Sequence, residues 1–442
     1  MNGGLAAWLL AQRWFRSKQR PIASVTEHDR APLGDAAAFV ILEVAYADGG
    51  GRDHYLVPDV GGREPRDGEG AWTAVVQGMA DGAQLRGLRG SFSCSRTATL
   101  DELLPSASLA AAALRERRLG VEQSNTSVVL DDRLILKLYR LLEPGLNPDL
   151  EVSLFLADEG FADTPATAGA VTWLPDGGEP SAAAMLQAFV PSTGDAWAAM
   201  LGGLAEDPER AGDMVARIGE LTARMHAALA SRPADPAFPS RVATAAETAA
   251  WRASAERQLA LAVSAVGGDA HQRMVALAPA VTARFADTFG SATGEARVTR
   301  IHGDYHLGQL LARTDGGFSA IDFEGEPARQ LHERRAPSSP LRDVAGMLRS
   351  LDYAARTAEG RSPGFSAEAW LAQARAAFIG AYGGIGPAAV GLLEAFELEK
   401  ACYEVRYEAS NRPDWLWLPL AAVERLSTDR GARIDGTGTL RS

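Results

Sequence analysis

Three polar side chains at fixed spacing suggest a site that acts on phosphate. Asp304 lies in residues 302–309, which read His-Gly-Asp-Tyr-His-Leu-Gly-Gln and are called here the HGD loop. Gln309 follows Asp304 by five residues, and Asp322 follows Gln309 by thirteen. A carboxylate can orient a hydroxyl and accept its proton, while an amide and a second carboxylate supply oxygen ligands for Mg²⁺ on a nucleotide. The spacing therefore favours metal-assisted phosphoryl transfer.

Short strands are expected to position these groups. The apolar residues 298–301 and 318–321 lead into the first and second carboxylate, respectively. Residues 310–311 are apolar, and residues 314–317, Thr-Asp-Gly-Gly, are typical of a turn. This pattern predicts a hairpin-like segment that holds the polar groups at fixed points.

A lysine in an apolar strand is the candidate phosphate contact further upstream. Lys137 lies between two leucines, in a hairpin whose turn is expected at Asp131-Asp132. On its own, a strand lysine is explained by a solvated face. A polar loop before the hairpin adds support for phosphate binding, since its hydroxyls and amides could contact phosphate; its residues are Ser124, Asn125, Thr126 and Ser127. The loop has too few glycines for a Walker A or GxGxxG motif.

A helix is predicted to begin after Asn147, with Pro148 in its first turn. Glu151 in that turn either complements the helix dipole or pairs with Lys137 and orients it. Two strands are expected at residues 170–174 and 184–190, followed by a linker at residues 191–195. If the chain binds a nucleotide as kinases do, the base would contact the end of the second strand, at Gln187, Phe189 and Val190.

The coarse pattern predicts an α+β chain with antiparallel sheets first and long helices after residue 197. Near the start, strands are expected at residues 38–47, 54–57, 72–76 and 97–100, and an alanine-rich helix at residues 106–118. Apolar residues at helical spacing characterise residues 211–229, and further helices are expected at 243–265, 274–289, 342–347, 367–382 and 391–410. Asp343, early in one of these helices, is expected to cap it or to brace the HGD loop.

A polar and aromatic segment near the C-terminus, residues 400–417, is called here the C-terminal strip. Lys400, Glu404 and Glu408 share one helix face, and Tyr403 lies on an adjacent face. A salt bridge between Lys400 and Glu404 would explain part of this pattern. Aromatic planes beside carboxylates also suit a sugar, because rings stack on its C–H faces and acceptors bind its hydroxyls; the candidate contacts are Tyr403, Glu404, Glu408, Arg412 and Trp415.

Composition narrows the function classes. The chain has 442 residues, is 46% hydrophobic and 23% charged, and has a formal net charge of −12. This balance is that of a globular protein of two or three domains and disfavours binding to nucleic acid or to an anionic membrane. The two cysteines, Cys94 and Cys402, are too few for a disulfide framework or a zinc site. Without an apolar run near ~18 residues or a basic leader, we expect a cytoplasmic protein.

The HGD loop, Gln309 and the Asp322-Phe323-Glu324 triplet resemble the aminoglycoside-phosphotransferase-like kinases, a branch of the protein-kinase-like superfamily. Further blocks resemble its actinobacterial maltokinase-like group, which includes glucosamine kinases; they are residues 12–15, 122–127, 147–151, 321–327, 339–347 and 403–415. The resemblance implies a bilobal protein-kinase-like fold with an extra N-terminal cap domain. The expected domains are a β-rich cap (1–105), an N-lobe with the nucleotide-binding hairpin (106–193) and a helical C-lobe (194–442).

By this resemblance, Asp304 would be the catalytic base of an ATP- and Mg²⁺-dependent sugar kinase. Gln309, Asp322 and Glu324 would hold metal, although most such kinases have asparagine at the position of Gln309, so its longer side chain places the amide oxygen differently. Lys137 would bind phosphate and pair with Glu151. His306 is a candidate sugar contact, whereas His302 is better explained as a brace of the loop, because Mg²⁺ prefers oxygen ligands.

The acceptor has two candidates within this group, glucosamine phosphorylated on its 6-hydroxyl or maltose phosphorylated on its anomeric hydroxyl. An ammonium group suits carboxylates such as Glu404 and Glu408, and the resemblance favours glucosamine. The alternative from another class is a non-catalytic, kinase-like binding module. Loss of Lys137, Asp304 or Asp322 would mark such a module, and all three are present.

Overall fold

A computed structural model describes residues 2–34, 37–104, 114–120, 124–292, 294, 296–326 and 329–428. The contacts divide the chain into two compact units, Met1–Pro191 and Ser192–Ser442. The first unit is mainly antiparallel sheet, and the second is mainly helical. This is the α+β class and the order of elements that the sequence predicts.

The N-terminal unit contains four described helices and ten strands. The helices are α1 (Asn2–Ala11), α2 (Ala71–Asp81), α3 (Ala98–Leu103) and α4 (Pro148–Asp158). The strands are β1 (Ile22–Leu33), β2 (Ala37–Tyr46), β3 (Arg52–Asp59), β4 (Gln84–Arg86), β5 (Gly90–Arg96), β6 (Glu116–Arg118), β7 (Asn125–Leu130), β8 (Leu134–Tyr139), β9 (Thr167–Pro175) and β10 (Ser181–Ala188).

Two antiparallel sheets organise this unit. The first has the order β1-β2-β3, and the second has the order β4-β5-β9-β10-β8-β7-β6. Strand β2 is apolar on both faces because it contributes to two cores. Phe39 and Ile41 pack in the core that also contains α2, whereas Val40 and Leu42 pack in a second core with Trp14. The period of two in a strand produces this division.

Two strand predictions near the start are wrong. Residues 72–76 lie in helix α2, and residues 97–100 fall largely in helix α3. In α2 the buried residues Trp72, Val75, Val76 and Met79 follow the helical spacing i, i+3, i+4, i+7. Most of the predicted helix 106–118 lies outside the described residues, and its last part forms strand β6.

The seven-stranded sheet takes strands from both sides of residue 105. The domain bounds given from the sequence stay a prediction. The predicted hairpin around Lys137 is confirmed: β7 pairs with β8, and its turn residues Asp131 and Asp132 have φ of 52° and 51°. Both central residues of a type I′ turn require a positive φ.

The C-terminal unit contains nine helices and five short strands in its described part. The helices are α5 (Ala196–Glu206), α6 (Pro208–Leu229), α7 (Ala245–Ala265), α8 (Gly268–Ser291), α9 (Leu331–Arg335), α10 (Leu341–Glu359), α11 (Ala367–Tyr382), α12 (Pro387–Asn411) and α13 (Trp417–Thr428). The strands are β11 (Ser192–Asp195), β12 (Arg241–Val242), β13 (Arg297–Val298), β14 (Leu310–Arg313) and β15 (Phe318–Ala320).

The small sheets of this unit carry the loop predicted to be functional. Strands β11, β14 and β15 form one antiparallel sheet, and β12 pairs with β13. The predicted hairpin after the HGD loop is confirmed, because β14 pairs with β15 across residues 314–317. Residues 192–195, expected to be a linker, form strand β11 and pair with β14.

Helix α10 packs in close contact with the HGD loop. A Cβ atom at Gly346 would lie 2.6 Å from the carbonyl oxygen of Tyr305, which is closer than side chains are found. Only glycine permits this approach of helix and loop. None of the described helices combines the length and apolarity needed to cross a membrane.

Candidate active site

Asp304 lies half-buried in the HGD loop, between strand β13 and a single 3₁₀ turn at Leu307–Gln309. The loop leaves the strand by a left-handed residue, Gly303, whose φ is +85°. A Cβ atom at Gly303 would lie 3.2 Å from the Cα of Gly325, so two loops meet here through glycines. This close packing holds the backbone on either side of the candidate base.

A buried carboxylate fixes the start of the loop. Asp343 of α10 accepts hydrogen bonds from the backbone N–H of His302 at 2.8 Å and of Gly303 at 2.9 Å. His226 of α6 lies 3.1 Å from the same carboxylate and bonds to Tyr382 through its other ring nitrogen. Burial would raise the pKa of Asp343, but His226 and the loop amide outweigh it and lower the pKa. The prediction that Asp343 braces the loop is confirmed.

His302 has a structural position, as the sequence suggests. Its Nε2 lies 2.9 Å from the carbonyl oxygen of Ile321, which links the loop to the segment before Asp322. The ring also packs between Tyr305 and Phe323, with centroid distances of 5.3 and 4.8 Å. Both carboxylate segments are therefore joined through one buried imidazole.

Gln309 and Asp322 meet in space as the sequence predicts. The amide nitrogen of Gln309 lies 3.3 Å from a carboxylate oxygen of Asp322, which has a φ of +67°. Such a conformation is rare outside glycine, asparagine and aspartate and is common where a site requires it. The two side chains supply carboxylate and amide oxygens, a donor set that fits Mg²⁺. Glu324 lies two residues after Asp322 and is buried. Its role as a metal ligand stays a prediction.

A small cleft of the C-terminal unit opens beside Asp304. Its walls carry charges of both signs; the charged residues besides Asp304 are Glu326, Arg329, Glu333, Arg334, Arg342, Asp343, Glu399 and Lys400. Lys400 of α12 lies 3.3 Å from the carboxylate of Asp304 and 4.7 Å from the ring centroid of Tyr403. Burial alone would lower the pKa of Lys400, but Asp304 and Glu326 raise it, so the ammonium stays charged.

The sequence did not predict the contact between Lys400 and Asp304. The helical spacing suggested that Lys400 pairs with Glu404, whereas the structure pairs it with the HGD loop. No local signal reveals this contact, because 96 residues separate the two.

His306 also lies beside the candidate base. Its Nδ1 accepts a hydrogen bond from the backbone N–H of Gly308 at 3.0 Å. Burial lowers the pKa of His306 more strongly than Asp304 raises it. A neutral imidazole that accepts at Nδ1 carries its proton on Nε2, which can donate to a hydroxyl.

The structure divides the C-terminal strip into two parts. Tyr403 lines the cleft at Asp304, but the other four predicted sugar contacts are absent from its described lining; they are Glu404, Glu408, Arg412 and Trp415. These four side chains contact other residues of the unit. The predicted sugar contacts therefore do not line the cleft as one surface. Their role in binding a sugar stays a prediction.

Arginines hold the carboxylates of the strip. Glu404 bonds to Arg349 at 2.7 Å, and Glu408 bonds to Arg412 at 2.6 Å and to the hydroxyl of Tyr353 at 3.2 Å. Trp415 stacks on Tyr353 with a centroid distance of 6.3 Å. Arg349 and Tyr353 were not predicted as contacts of the strip, because they lie on α10, which is distant from the strip in sequence.

In the N-terminal unit, Lys137 of β8 meets a carboxylate that the sequence overlooked. Its Nζ lies 2.7 Å from Asp149, which is buried in the first turn of α4 and also accepts from the hydroxyl of Tyr139. Asn147 caps this helix, as predicted, by accepting from the backbone N–H of Asp149. The predicted pairing of Lys137 with Glu151 stays a prediction.

The polar segment before β8 is partly strand rather than loop, since β7 begins at Asn125. Ser127 pairs with Lys137 in register and lies on the same face. Thr126 points to the opposite face, where its hydroxyl accepts from Arg140 at 2.7 Å and is fully buried. The Thr126 hydroxyl is therefore already engaged within the fold, and a phosphate contact at Thr126 stays a prediction.

The end of β10 is the predicted contact for a nucleotide base. Gln187 lies in the strand, and Phe189 and Val190 follow it. The backbone N–H of Phe189 donates to the carbonyl oxygen of Arg133 at 2.8 Å. Phe189 can therefore meet a base with its carbonyl oxygen, whereas its N–H is already engaged.

Comparison with known proteins decides the family. The model of the phosphotransferase enzyme family matches residues 114–391, and that of the maltokinase N-terminal cap domain matches residues 8–85. The chain belongs to the phosphotransferase enzyme family. The resemblance inferred from the HGD loop is thus confirmed, and this phosphotransferase carries a cap domain of the maltokinase type.

Two curated relatives of this phosphotransferase are glucosamine kinases. One, from Streptacidiphilus jiangxiensis, is 32% identical over 345 residues, which are 71% of this chain and 74% of the relative. The other, from Mycolicibacterium smegmatis, is 30% identical over 403 residues, which are 86% of this chain and 96% of the relative.

Solved structures of a glucosamine kinase share the fold. One, in complex with glucosamine, ADP and inorganic phosphate, has a TM-score of 0.71 at 26% identity and covers 96% of this chain and 100% of its own. A second crystal form has a TM-score of 0.73 at 26% identity and covers 95% and 97%, respectively. The kinase-like fold with an N-terminal cap is therefore confirmed.

Proposed function

We propose that this phosphotransferase transfers the γ-phosphoryl group of ATP to a hydroxyl of glucosamine, forming glucosamine 6-phosphate and ADP. The observation that carries the proposal is the position of Asp304, at the wall of a cleft and on a loop braced by Asp343 and His302. A base of this kind must reach the acceptor hydroxyl while its backbone stays fixed.

In the proposed reaction, the carboxylate of Asp304 accepts the proton of the sugar hydroxyl as its oxygen attacks the γ-phosphorus. The bond from that phosphorus to the β–γ bridging oxygen breaks, and the electron pair leaves with ADP. Lys400 lies 3.3 Å from the carboxylate of Asp304 and can hold it in position beside the acceptor. His306 can donate a hydrogen bond from Nε2 to the acceptor.

Two sets of residues are the proposed contacts of the nucleotide and its metal. Gln309, Asp322 and Glu324 are the proposed ligands of Mg²⁺, which when bound neutralises charge on the phosphates. Lys137 is the proposed phosphate contact, and its pairing with Asp149 holds the ammonium in place. Ser124, Asn125, Thr126 and Ser127 are the further phosphate candidates, and Gln187, Phe189 and Val190 are the proposed base contacts.

An amino sugar fits the charge of the cleft. The described lining of the cleft has five carboxylates and four cationic side chains. The carboxylates are those of Asp304, Glu326, Glu333, Asp343 and Glu399, and the cations are Arg329, Arg334, Arg342 and Lys400. Tyr403 offers a ring beside Asp304. The curated relatives named glucosamine kinase support the same acceptor.

Maltose is the second candidate because the cap domain matches the maltokinase type. A coupled assay of ADP formation with glucosamine, glucose and maltose, each with ATP and Mg²⁺, separates the two. We expect kcat/KM to be highest for glucosamine. Turnover with maltose alone would overturn the amino-sugar acceptor, and no turnover with any sugar would favour a binding module.

The Asp304→Asn variant tests the proposed base in the same assay. We expect kcat to fall by about 10²- to 10⁴-fold, because asparagine cannot accept the proton, while the fold is retained. The Asp269→Asn variant, at an exposed position in the first turn of α8, is the matched control and should keep its rate. Wild-type turnover by Asp304→Asn would refute its role as base.

A further inference from the structure

A cluster of two histidines and a glutamate lies on the three-stranded sheet of the N-terminal unit, apart from every residue assigned above. Glu43 of β2 pairs in register with His54 of β3, so their side chains share one face. His28 of β1 joins them, and one candidate ligand atom from each of the three side chains lies within 4.8 Å of the other two. We propose that His28, Glu43 and His54 bind a divalent transition-metal ion of the zinc type.

The distances match a shared ion better than direct hydrogen bonds. The Nδ1 of His28 lies 3.6 Å from a carboxylate oxygen of Glu43, and the Nε2 of His54 lies 3.5 Å from the same oxygen. A hydrogen bond would bring these atoms to about 2.7–3.2 Å. Two ligands at about 2.0–2.1 Å from a tetrahedral zinc ion are roughly 3.3 Å apart. The observed separations are close to that edge length.

One ligand atom also lacks another use. The Nε2 of His54 is buried and has no hydrogen-bond partner among the described residues. Such a buried polar atom is costly unless a ligand satisfies it. Glu43 is oriented by Arg52, which bonds to its other carboxylate oxygen at 2.5 Å and leaves the shared oxygen to the two imidazoles.

A β-bulge lies at His28. Glu27 and Asp29 of β1 pair with the consecutive residues Leu42 and Ile41 of β2, so His28 is the extra residue between them. Bulges are common beside functional sites. His28 lies two residues after Thr26, which pairs with Glu43, so the period of two places His28 on the face of Glu43.

The bulge is anchored by the neighbouring residue. Asp29 is buried and accepts hydrogen bonds from the backbone N–H of Leu88 at 2.6 Å, of Arg89 at 3.1 Å and from the indole of Trp173 at 3.3 Å. The ring of Trp173 also packs edge-on against both imidazoles, at centroid distances of 6.0 and 5.6 Å. This support fixes the ligand side chains before an ion arrives.

The chemistry of the cluster selects the class of ion. Two imidazole nitrogens and one carboxylate suit Zn²⁺ or its transition-metal relatives, whereas Mg²⁺ prefers oxygen ligands alone. The three side chains are 20%, 17% and 26% exposed, so an ion can enter from solvent.

The site would join strands β1, β2 and β3 through one ion, with a water molecule as the expected fourth ligand. It is independent of the Mg²⁺ proposed for phosphoryl transfer, since it shares no residue with that set. Binding to the folded state alone would stabilise this sheet by mass action.

The test uses the full chain, stripped of metal with a chelator and then dialysed against Zn²⁺. We expect one zinc per chain by mass spectrometry of metals and a higher Tm with zinc than without. The variants His28→Ala, His54→Ala and Glu43→Gln should bind at least about tenfold more weakly by titration calorimetry and lose the zinc-dependent shift in Tm. Loading with Co²⁺ should give the strong visible absorption of a four-coordinate ion.

The His271→Ala variant is the matched control, since His271 is an exposed histidine on α8. It should bind zinc like the wild type. The proposal is overturned if the wild type keeps less than about half an equivalent of zinc, or if His271→Ala loses binding as the site variants do. Glu43→Gln nearly preserves shape, and the wild-type shift in Tm needs no variant, so a misfolded variant cannot obscure the result.

Discussion

The HGD loop and the C-terminal strip contain the same kinds of side chain but hold them differently. Asp304 in the loop stands half-buried at a cleft, with its backbone fixed through Asp343. In the strip, Glu408 is 1% exposed and lies under an arginine. In the loop, the buried carboxylate of Asp343 holds the backbone, and the carboxylate of Asp304 stays accessible. In the strip, the buried carboxylates bind arginines themselves.

The difference shows that the spacing of residues in a sequence identifies which side chains share a face, but not which of them are accessible to a substrate. A carboxylate can serve a substrate only if its native partner leaves room or gives way. Lys400 approaches Asp304 from the side of the cleft, whereas Arg349 is buried with Glu404. Arg412 is about half exposed, so the carboxylate of Glu408 could exchange this guanidinium for a ligand cation.

Among the variants that test this contrast, the largest effect on stability should come from removing the brace of the loop. In Asp343→Asn, the amide keeps only one acceptor oxygen, so one of the two loop N–H groups loses its acceptor, and the negative charge beside His226 is lost. We expect the free energy of unfolding to fall by about 3 kcal/mol and kcat to fall by about tenfold or more, with KM less affected. Urea denaturation and steady-state kinetics with glucosamine measure the two quantities.

The matched control for the brace is Asp213→Asn, an exposed aspartate on α6. It should change neither quantity. If Asp343→Asn were destabilised but kept its kcat when fully folded, the brace would serve stability alone. The contrast between a positioned loop and a packed strip would then disappear.

A smaller effect is expected in the part of the C-terminal strip that does not line the cleft. In Glu408→Gln, the hydrogen-bonding shape is kept but the negative charge is lost. If the charge of Glu408 receives the ammonium of an amino sugar, KM for glucosamine should rise by about tenfold, while KM for glucose should change little. Kinetics with both sugars measure this ratio.

Glu424→Gln is the control, because Glu424 forms an exposed pair with Arg273, and neither residue belongs to the strip. It should leave both KM values unchanged. Equal changes of KM for glucosamine and glucose in Glu408→Gln would assign the strip to packing and remove it from amino-sugar recognition.

Much of the site was predictable where the signal is local. The HGD loop, the β14–β15 hairpin and the cap at Asn147 follow from short spacing and turn chemistry. Asp343 was also identified, because its place in the first turn of a helix suggested a bracing role. The type I′ turn at Asp131-Asp132 is a further local feature.

Contacts between distant residues were not predictable. Lys400 and Asp304 are 96 residues apart, and Arg349 and Glu404 are 55 apart. Asp149 was missed although it lies two residues before Glu151, since either carboxylate could face Lys137 from the first helical turn. The error at Trp72 has another cause, a short apolar run in which helix and strand periods are hard to separate.

The smallest predicted effect tests whether burial, rather than pairing with arginine, distinguishes these regions. Glu247 binds Arg241 through two hydrogen bonds of 2.8 Å, like the carboxylates of the strip, but Arg241 is 45% exposed. Glu247→Gln keeps the capping box with Thr244, because glutamine also serves at that position. We therefore expect a loss of only about 0.5 kcal/mol at pH 7.

The pH dependence of that loss follows from the pKa of Glu247. The hydrogen bond from Arg241 lowers it from an ordinary 4.5 to about 2. A carboxyl whose pKa is lower in the folded state stabilises the fold above its unfolded pKa and loses this effect as the pH falls through its folded pKa. The difference between wild type and Glu247→Gln in urea denaturation should therefore shrink from pH 5 towards pH 2. A loss above about 2 kcal/mol at pH 7 would show that arginine pairing stabilises without burial, and that burial alone does not separate the strip from the surface.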